Sequence, residues 1–541
     1  MIKFFKKKEI TNLLIFSHNN NYNIQVFNRL SDTLKKKILI SNIITIDKKN
    51  INDLETNFKN SKIILLENLI KKRSFIKDEI ILNKKIIKKY KNCEIMFYKM
   101  LDFVKIDDTY FKKKEKINAY KYYLKVILNY LKFNKINIVF FSHVPHTFFD
   151  VLFIQVCKIN KIKVIFTRAY LMPGFYLFEN NLFFTSPNIK IAKIKKNKIA
   201  DTAIKQFIKY SRSKFNLIDI KKNIWVDYSL IHHLSKSSFI NKLYFFKFLF
   251  KKIFKYLFRM SLIILKLFKL YLTDLLKGNN FNNFDNYHLI NESHKKKNNN
   301  KIDHKLTKFD IEMIYLKTDL KKIYLLKYYL RLCSKINFND NYIYFPLWFQ
   351  PSSTTYPFAD KNIDYIKCIN LLSKSLPKNW KIFVKESPDI FNLSKHAWFK
   401  GTYTRNKKFY QKLKKIKNVK LVNFNIPDYK LIDNSITTAS HADKFGLVSV
   451  LRYKPNLNFS NSIQRYCHGT FICKNLKDIK MNIKIIKNGF KFNKKKVINF
   501  NSMLSNRLFY QNTIKGFNKY ESKTKFSKIS ELLENQIFTS L

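Results

Sequence analysis

Short apolar runs alternate along this chain with stretches of helical spacing, the pattern of buried strands joined by helices. Residues 343–347 form one such run. Ile363, Ile366, Ile369, Leu372 and Leu376 then recur at helical spacing until Pro377 and Asn379 stop the helix. A second strand over 381–385 ends in the turn Glu386-Ser387-Pro388. Between the first strand and the helix lies a loop of turn and hydroxyl residues: Gln350, Pro351, Ser352, Ser353, Thr354, Thr355, Tyr356 and Pro357. A β-loop-α-β unit of this kind builds a parallel sheet with its ligand loops at the carboxyl ends of the strands, and both polar loops fall there. A purely structural βα turn also accounts for the layout, but it does not require four consecutive hydroxyls beside a Gln-Pro.

The pattern repeats upstream. Strands are expected over 12–17, 37–46 and 62–67, a helix over 112–133, and then a βαβ unit. That unit has a strand over 136–141, a helix opened by Pro145 and continued through 148–157, and a strand over 163–167. His146 and Asp150 are four apart and share a helix face. Beside His143 at the carboxyl edge of a sheet, they are fit to hold or deprotonate a hydroxyl. They are equally fit for a structural pair, His146 capping the turn and Asp150 steering it. Arg168 ends the next strand at the same edge, where it can meet an acidic acceptor or simply lie at the surface. Downstream come a helix over 406–416, strand 419–422, helix 427–434 and strand 435–438. The loop Ala439-Ser440-His441-Ala442-Asp443 precedes a helix over 444–452, Pro455 breaks it before strand 456–459, and residues 495–541 read as helices closing the fold.

Composition changes this picture in three ways. With 541 residues, 46% hydrophobic and 16% aromatic, the chain can bury two or three sizeable cores at roughly 150 residues per domain. The net charge of +67 (104 basic against 37 acidic residues) invites a nucleic-acid reading. The lysines, however, accompany an excess of Ile, Asn and Phe and only 7 Gly, a bias that an AT-rich genome imposes on every protein, so no specific nucleic-acid partner is expected. The six cysteines are scattered without a CxxC pair, which favours a reducing compartment and argues against a zinc site. Residues 240–277 form a long basic, aromatic-rich amphipath, suited either to an anionic membrane surface or to packing between domains. No uncharged run approaches 18 residues, so a cytoplasmic protein is expected, peripheral to the membrane if attached at all.

The stretch FPLWFQPSSTTYPFAD, followed by FVKESP, resembles the capsule polysaccharide biosynthesis family, whose pattern is (H/F)xQPExTTxPxG and then VKEHP. Gln350, Pro351, Thr354, Thr355 and Pro357 match, as do Val384, Lys385, Glu386 and Pro388; Ser352 stands for the Glu, Ala359 for a Gly and Ser387 for the His. The His146 to Asp150 element also resembles that family. So does the frame of Thr438, Gly446, Lys454, Pro455, Phe459 and Tyr466, although the Glu of that frame falls at Val448. The resemblance implies an α/β fold of two Rossmann-like domains facing a cleft, GT-B-like, with a helical basic insertion. The expected limits are 1–230 for an acceptor domain, 231–310 for the insertion, 311–500 for a nucleotide-sugar domain and 501–541 for a helical tail. It implies a glycosyltransferase, with a CMP-linked acidic sugar such as Kdo among the donors and a glycolipid or glycan as acceptor. Expected donor-binding residues are Gln350, Ser353, Thr354, Thr355, Lys385, Ser387, Ser440 and His441, the last compensating for the missing His. Catalysis falls to His146, Asp150 or Glu386, and acceptor binding to His143 and Arg168. No DxD pair stands in a convincing context, so neither metal nor cofactor is expected. The alternative is a non-catalytic partner in polysaccharide assembly or export with a degenerate donor site.

Overall fold

The computed structural model describes residues 11–17, 20–46, 51–71, 80–102, 113–143, 145, 147–169, 175–180, 198–213, 308–348, 350, 358–359, 362–391, 405–441, 444–505, 507–510 and 526–538, with seven helical positions between 250 and 265. Their strands form two sheets. The first comprises β1 (Thr11–Ser17), β2 (Ile38–Thr45), β3 (Lys62–Leu65), β4 (Ile138–Phe141), β5 (Lys163–Ala169), β6 (Phe175–Glu179) and, from the far end of the chain, β13 (Phe509–Tyr510), in the order β13-β6-β5-β4-β1-β2-β3. Strands β1 to β5 run parallel; β6 pairs antiparallel with β5, and β13 with β6. The second comprises β7 (Tyr342–Pro346), β8 (Lys381–Lys385), β9 (Val419–Leu421), β10 (Thr437–Ser440), β11 (Asn456–Asn458) and β12 (Thr470–Ile472), all parallel in the order β12-β11-β10-β7-β8-β9. Counted from β7, that is the 3-2-1-4-5-6 winding of a nucleotide-binding α/β sheet, and the chain therefore folds as two Rossmann-like domains.

The strands read as unbroken apolar runs because helices cover both faces of each sheet. In β1, Leu14 and Phe16 face one core and Leu13 and Ile15 the other. In β7, Ile343 and Phe345 face one core while Tyr342 and Tyr344 face its opposite. The helix Lys113–Asn134 packs Tyr120, Leu124, Ile127 and Leu131 into the first core, and Phe148–Ile159 is buried along nearly its whole length.

Several expected boundaries shift. The strand expected over 435–438 lies at Thr437–Ser440, which moves Ser440 from a loop into the sheet. The run 62–67 is split into β3 and a helix, Leu66–Lys71. The tail is not purely helical: β13 returns to the first sheet, and the helix Phe526–Phe538 packs Ile529, Leu532, Leu533 and Ile537 beneath it. Strand β6 and the helix Lys198–Arg212 were not among the expected elements, although Ala200, Ile204, Phe207 and Ile208 recur at helical spacing. The helix seats Ile204 beside Leu447, Val450 and Leu451 of the second domain. Most of the insertion at 231–310 lies outside the described residues.

Candidate functional site

A doubly wound sheet binds its ligands outside the carboxyl ends of the two strands where the winding reverses. Those pairs are β1 and β4 in the first sheet, β7 and β10 in the second. Of the polar residues singled out from the sequence, His143 and Asp150 lie at the first place and Gln350, Lys385, Glu386 and Ser387 at the second.

At the first, Asn23 Nδ2 donates to Ser17 Oγ at 2.7 Å and to Ser142 Oγ at 3.3 Å, tying the end of β1 to the end of β4. His143 Nε2 lies 3.2 Å from Asp150 Oδ2. The same oxygen accepts from the Thr147 backbone N–H at 3.3 Å, and Thr147 Oγ1 accepts from the Asp150 N–H at 3.1 Å. This is a capping box, so the helix begins at Phe148 with Thr147 as its N-cap. Pro145 therefore precedes the helix instead of opening it, and His146 lies outside the described residues. Asp150 is nearly sealed, whereas His143 keeps some surface. Arg168 is not a surface residue. It is buried on β5 with its guanidinium 3.7 Å from the centre of the Phe358 ring, and burial lowers its pKa to about 10 against the opposing pull of Glu179. Phe358 belongs to the loop after β7. With Ile363 it packs into the same core as Phe148 and Phe149, so the carboxyl edges of the two sheets meet here.

At the second place, a residue that the sequence did not single out holds the loops together. Arg405, fully buried, donates from Nε to Glu386 Oε2 at 2.6 Å, from Nη1 to Gln350 Oε1 at 2.8 Å and from Nη2 to the Trp348 carbonyl at 3.3 Å. Glu386 also accepts from Tyr410 OH at 2.9 Å and from the Ser387 N–H at 2.8 Å, and Gln350 Nε2 donates to the Ile363 carbonyl at 3.2 Å. Burial alone would lower the Arg405 pKa, but the Glu386 carboxylate outweighs it and the value rises above the ordinary one. Both oxygens of Glu386 are thus engaged with groups of the protein itself, and its side chain has no exposed surface. Lys385 also turns inward: Nζ donates to Asp428 Oδ1 at 2.7 Å and to the Ile426 carbonyl at 2.8 Å. Nothing in the local sequence marks Arg405, one of 104 basic residues.

Ser387 differs from its neighbours. It is 1% exposed, and its hydroxyl has no hydrogen-bond partner among the described residues. It lines a cavity of about 10 Å³ together with Tyr344, Pro346, Lys385, Asp428 and Phe445, space for roughly one water. Phe445 lies in the first turn of the helix Lys444–Leu451, whose N-terminal N–H groups favour an anion. Lys444 opens that helix half-buried, with no carboxylate paired to it among the described residues, and burial lowers its pKa to about 8. Gly446 lets the helix lie close on β10 and β11; a Cβ there would come within 2.5 Å of Gln464 Oε1 and 2.6 Å of Ser440 Oγ.

The remaining predicted residues are placed differently. Ser440 Oγ donates to Asn456 Oδ1 at 3.0 Å inside the sheet. His441 is fully buried; its Nε2 is 2.7 Å from the Asn362 carbonyl, with Tyr365 packed edge-on. Burial drives its pKa down to about 4, the Asn362 contact opposing and Arg405 assisting. The ring is neutral at pH 7 and does not supply the charge that Ser387 lacks, as the sequence had led us to expect. Val448 is buried between Tyr342, Tyr344 and Phe383 and faces the core where the related frame has its Glu. Ser353, Thr354 and Thr355 lie outside the described residues. Among the described residues no group of His, Cys, Asp and Glu has the arrangement of a metal site.

No protein-family model and no curated protein matches this chain. Similar solved structures include the KpsC β-Kdo 2,7-transferase of Thermosulfurimonas dismutans, at 13% identity, TM-score 0.22, with 42% of this chain covered. This chain spans 63% of that one. A glycosyltransferase of Rickettsia africae ESF-5 is similar at 11% identity and TM-score 0.23, with 98% of each chain covered. A UDP-GlcNAc 2-epimerase of Methanocaldococcus jannaschii is similar at 10% identity and TM-score 0.24, covering 91% of this chain and 97% of that one. Similarities of this size leave the fold to rest on the strand order.

Proposed function

We propose that this chain transfers a sugar from a nucleotide-activated donor to a hydroxyl of a glycolipid or glycan acceptor, without a metal ion. The observation that carries the reading is Ser387, whose buried, unpartnered hydroxyl lines a cavity beneath the N-terminus of Lys444–Leu451. A phosphate of the donor would reach that hydroxyl through the one water the cavity can hold, at the positive end of the helix dipole, with Lys444 as its counter-charge. The acceptor would enter from the first domain. There His143, oriented by Asp150, takes the proton as the acceptor oxygen bonds to the anomeric carbon and the bond from that carbon to the phosphate oxygen breaks. Asp150 is a positioning residue in this scheme. Glu386 holds Arg405 and the two loops, and Arg168 with Phe358 closes the cleft between the domains. A CMP-linked acidic sugar is the first donor to test.

One observation favours the competing reading, a non-catalytic partner in polysaccharide assembly: Val448 is core, so the carboxylate expected to bind the donor ribose has no counterpart there. Thermal shift of the pure protein with CMP, UDP and GDP separates the two. A raised midpoint with one nucleotide, abolished by Ser387→Ala with Lys444→Met, supports the transferase. No response to any of them, together with no product by mass spectrometry from a panel of sugar nucleotides, sinks it.

A further inference from the structure

Phe250, Phe254, Leu257, Phe258, Leu262 and Leu265 are helical, and each leaves between 48% and 73% of its surface exposed. At 100° per residue these six fall in one arc of about 140°, an apolar stripe among the described residues. Ser261 lies in the same arc, but its hydroxyl donates back to the Phe258 carbonyl at 2.8 Å, so among the described residues the stripe offers no polar partner of its own. An exposed run of large apolar side chains marks a surface that meets something other than water.

We propose that this stripe seats the protein on an anionic membrane surface, the helix lying in the plane of the interface. Charge decides between occupants. In the sequence no Asp or Glu occurs from 240 to 273, whereas eight Lys or Arg do. A second copy of the chain would bring the same cations, on a molecule of net charge +67, against each other. Anionic headgroups meet them with opposite charge while the rings enter the acyl boundary. The eight basic residues between 240 and 273 leave no uncharged run near the 18 residues that a spanning helix needs, so the contact lies along the surface. The inference stands apart from sugar transfer, since vesicle binding requires no nucleotide.

The test is co-sedimentation of the full chain with vesicles of phosphatidylcholine alone and of phosphatidylcholine with phosphatidylglycerol, at about 0.1 M and about 0.5 M salt. The comparison is with a variant carrying Phe254→Glu and Phe258→Glu. So basic a chain attracts anionic vesicles at low salt whatever its stripe does, and the screened condition is therefore the decisive one. The wild type is expected to retain binding there and the variant to lose on the order of tenfold in affinity, with an unchanged thermal midpoint and nucleotide response. Equal binding of the two proteins at high salt overturns the proposal. So does light scattering that finds a wild-type dimer, without vesicles, which the variant turns into a monomer.

Discussion

Replacing Arg405 by Met probes the joint between the two loops of the second domain. The substitution removes a fully buried guanidinium that donates to Glu386, Gln350 and the Trp348 carbonyl, and it leaves the Glu386 carboxylate without its counter-charge. Breaking a buried pair from one side costs about 3–5 kcal/mol, most of it the burden of the stranded charge. For a domain of this size that lowers the midpoint by roughly 6–20 °C. Arg405→Lys keeps the charge but cannot span all three acceptors, so it should fall between Met and the wild type. Adding Glu386→Gln to Arg405→Met removes the stranded charge. The double variant should then be more stable than the sum of the single losses by about 1–3 kcal/mol. Urea denaturation of the five proteins, Glu386→Gln alone included, measures this directly. If Arg405→Met stays within about 1 kcal/mol of the wild type, or the two losses simply add, the joint is not the charged lock described above.

Gly446→Ala places a Cβ within 2.5 Å of Gln464 Oε1 and 2.8 Å of Asn456 Nδ2; a loss of about 1–3 kcal/mol is expected in thermal or chemical denaturation. His441, held down to about 4 by burial, contributes stability that is complete above pH 6.5 and lost as pH falls toward 4. That contribution is roughly 3 kcal/mol, and His441→Phe should flatten this limb of the stability profile. Glu179, raised to about 7 by burial against the pull of Arg168 and Arg507, acts in the opposite sense. Its contribution is complete below pH 4.5 and fades as pH rises through 7, and Glu179→Gln should remove that fall. If Lys444 meets the donor phosphate, nucleotide affinity measured by calorimetry should drop as pH rises through about 8, and Lys444→Met should bind weakly at every pH without that step.

Much of the architecture was legible because strand and helix periods are local. The runs at 12–17, 343–347 and 381–385 announced buried strands, and the loops after them announced a carboxyl edge rich in polar groups. Gln350, Lys385, Glu386 and Ser387 do gather at one place. What they do there was not legible. Lys385 has a buried partner 43 positions away and Glu386 one 19 positions away, and no pattern of spacing points to Asp428 or Arg405. Strand β13 was missed for the same reason: two residues carry no period, and they become a strand only because β6 offers an unpaired edge. His441 reads in the sequence as a charge, and only its enclosure by Phe345, Tyr365 and Phe459 makes it neutral. The sequence by itself determined most of the strands and helices of the two sheets, because hydrophobic periodicity is written residue by residue. The tertiary structure alone decided which polar groups are locked in pairs and which, like the Ser387 hydroxyl, have no hydrogen-bond partner among the described residues. Burial and partnership are long-range properties, and they set the chemistry of every charged group in this site.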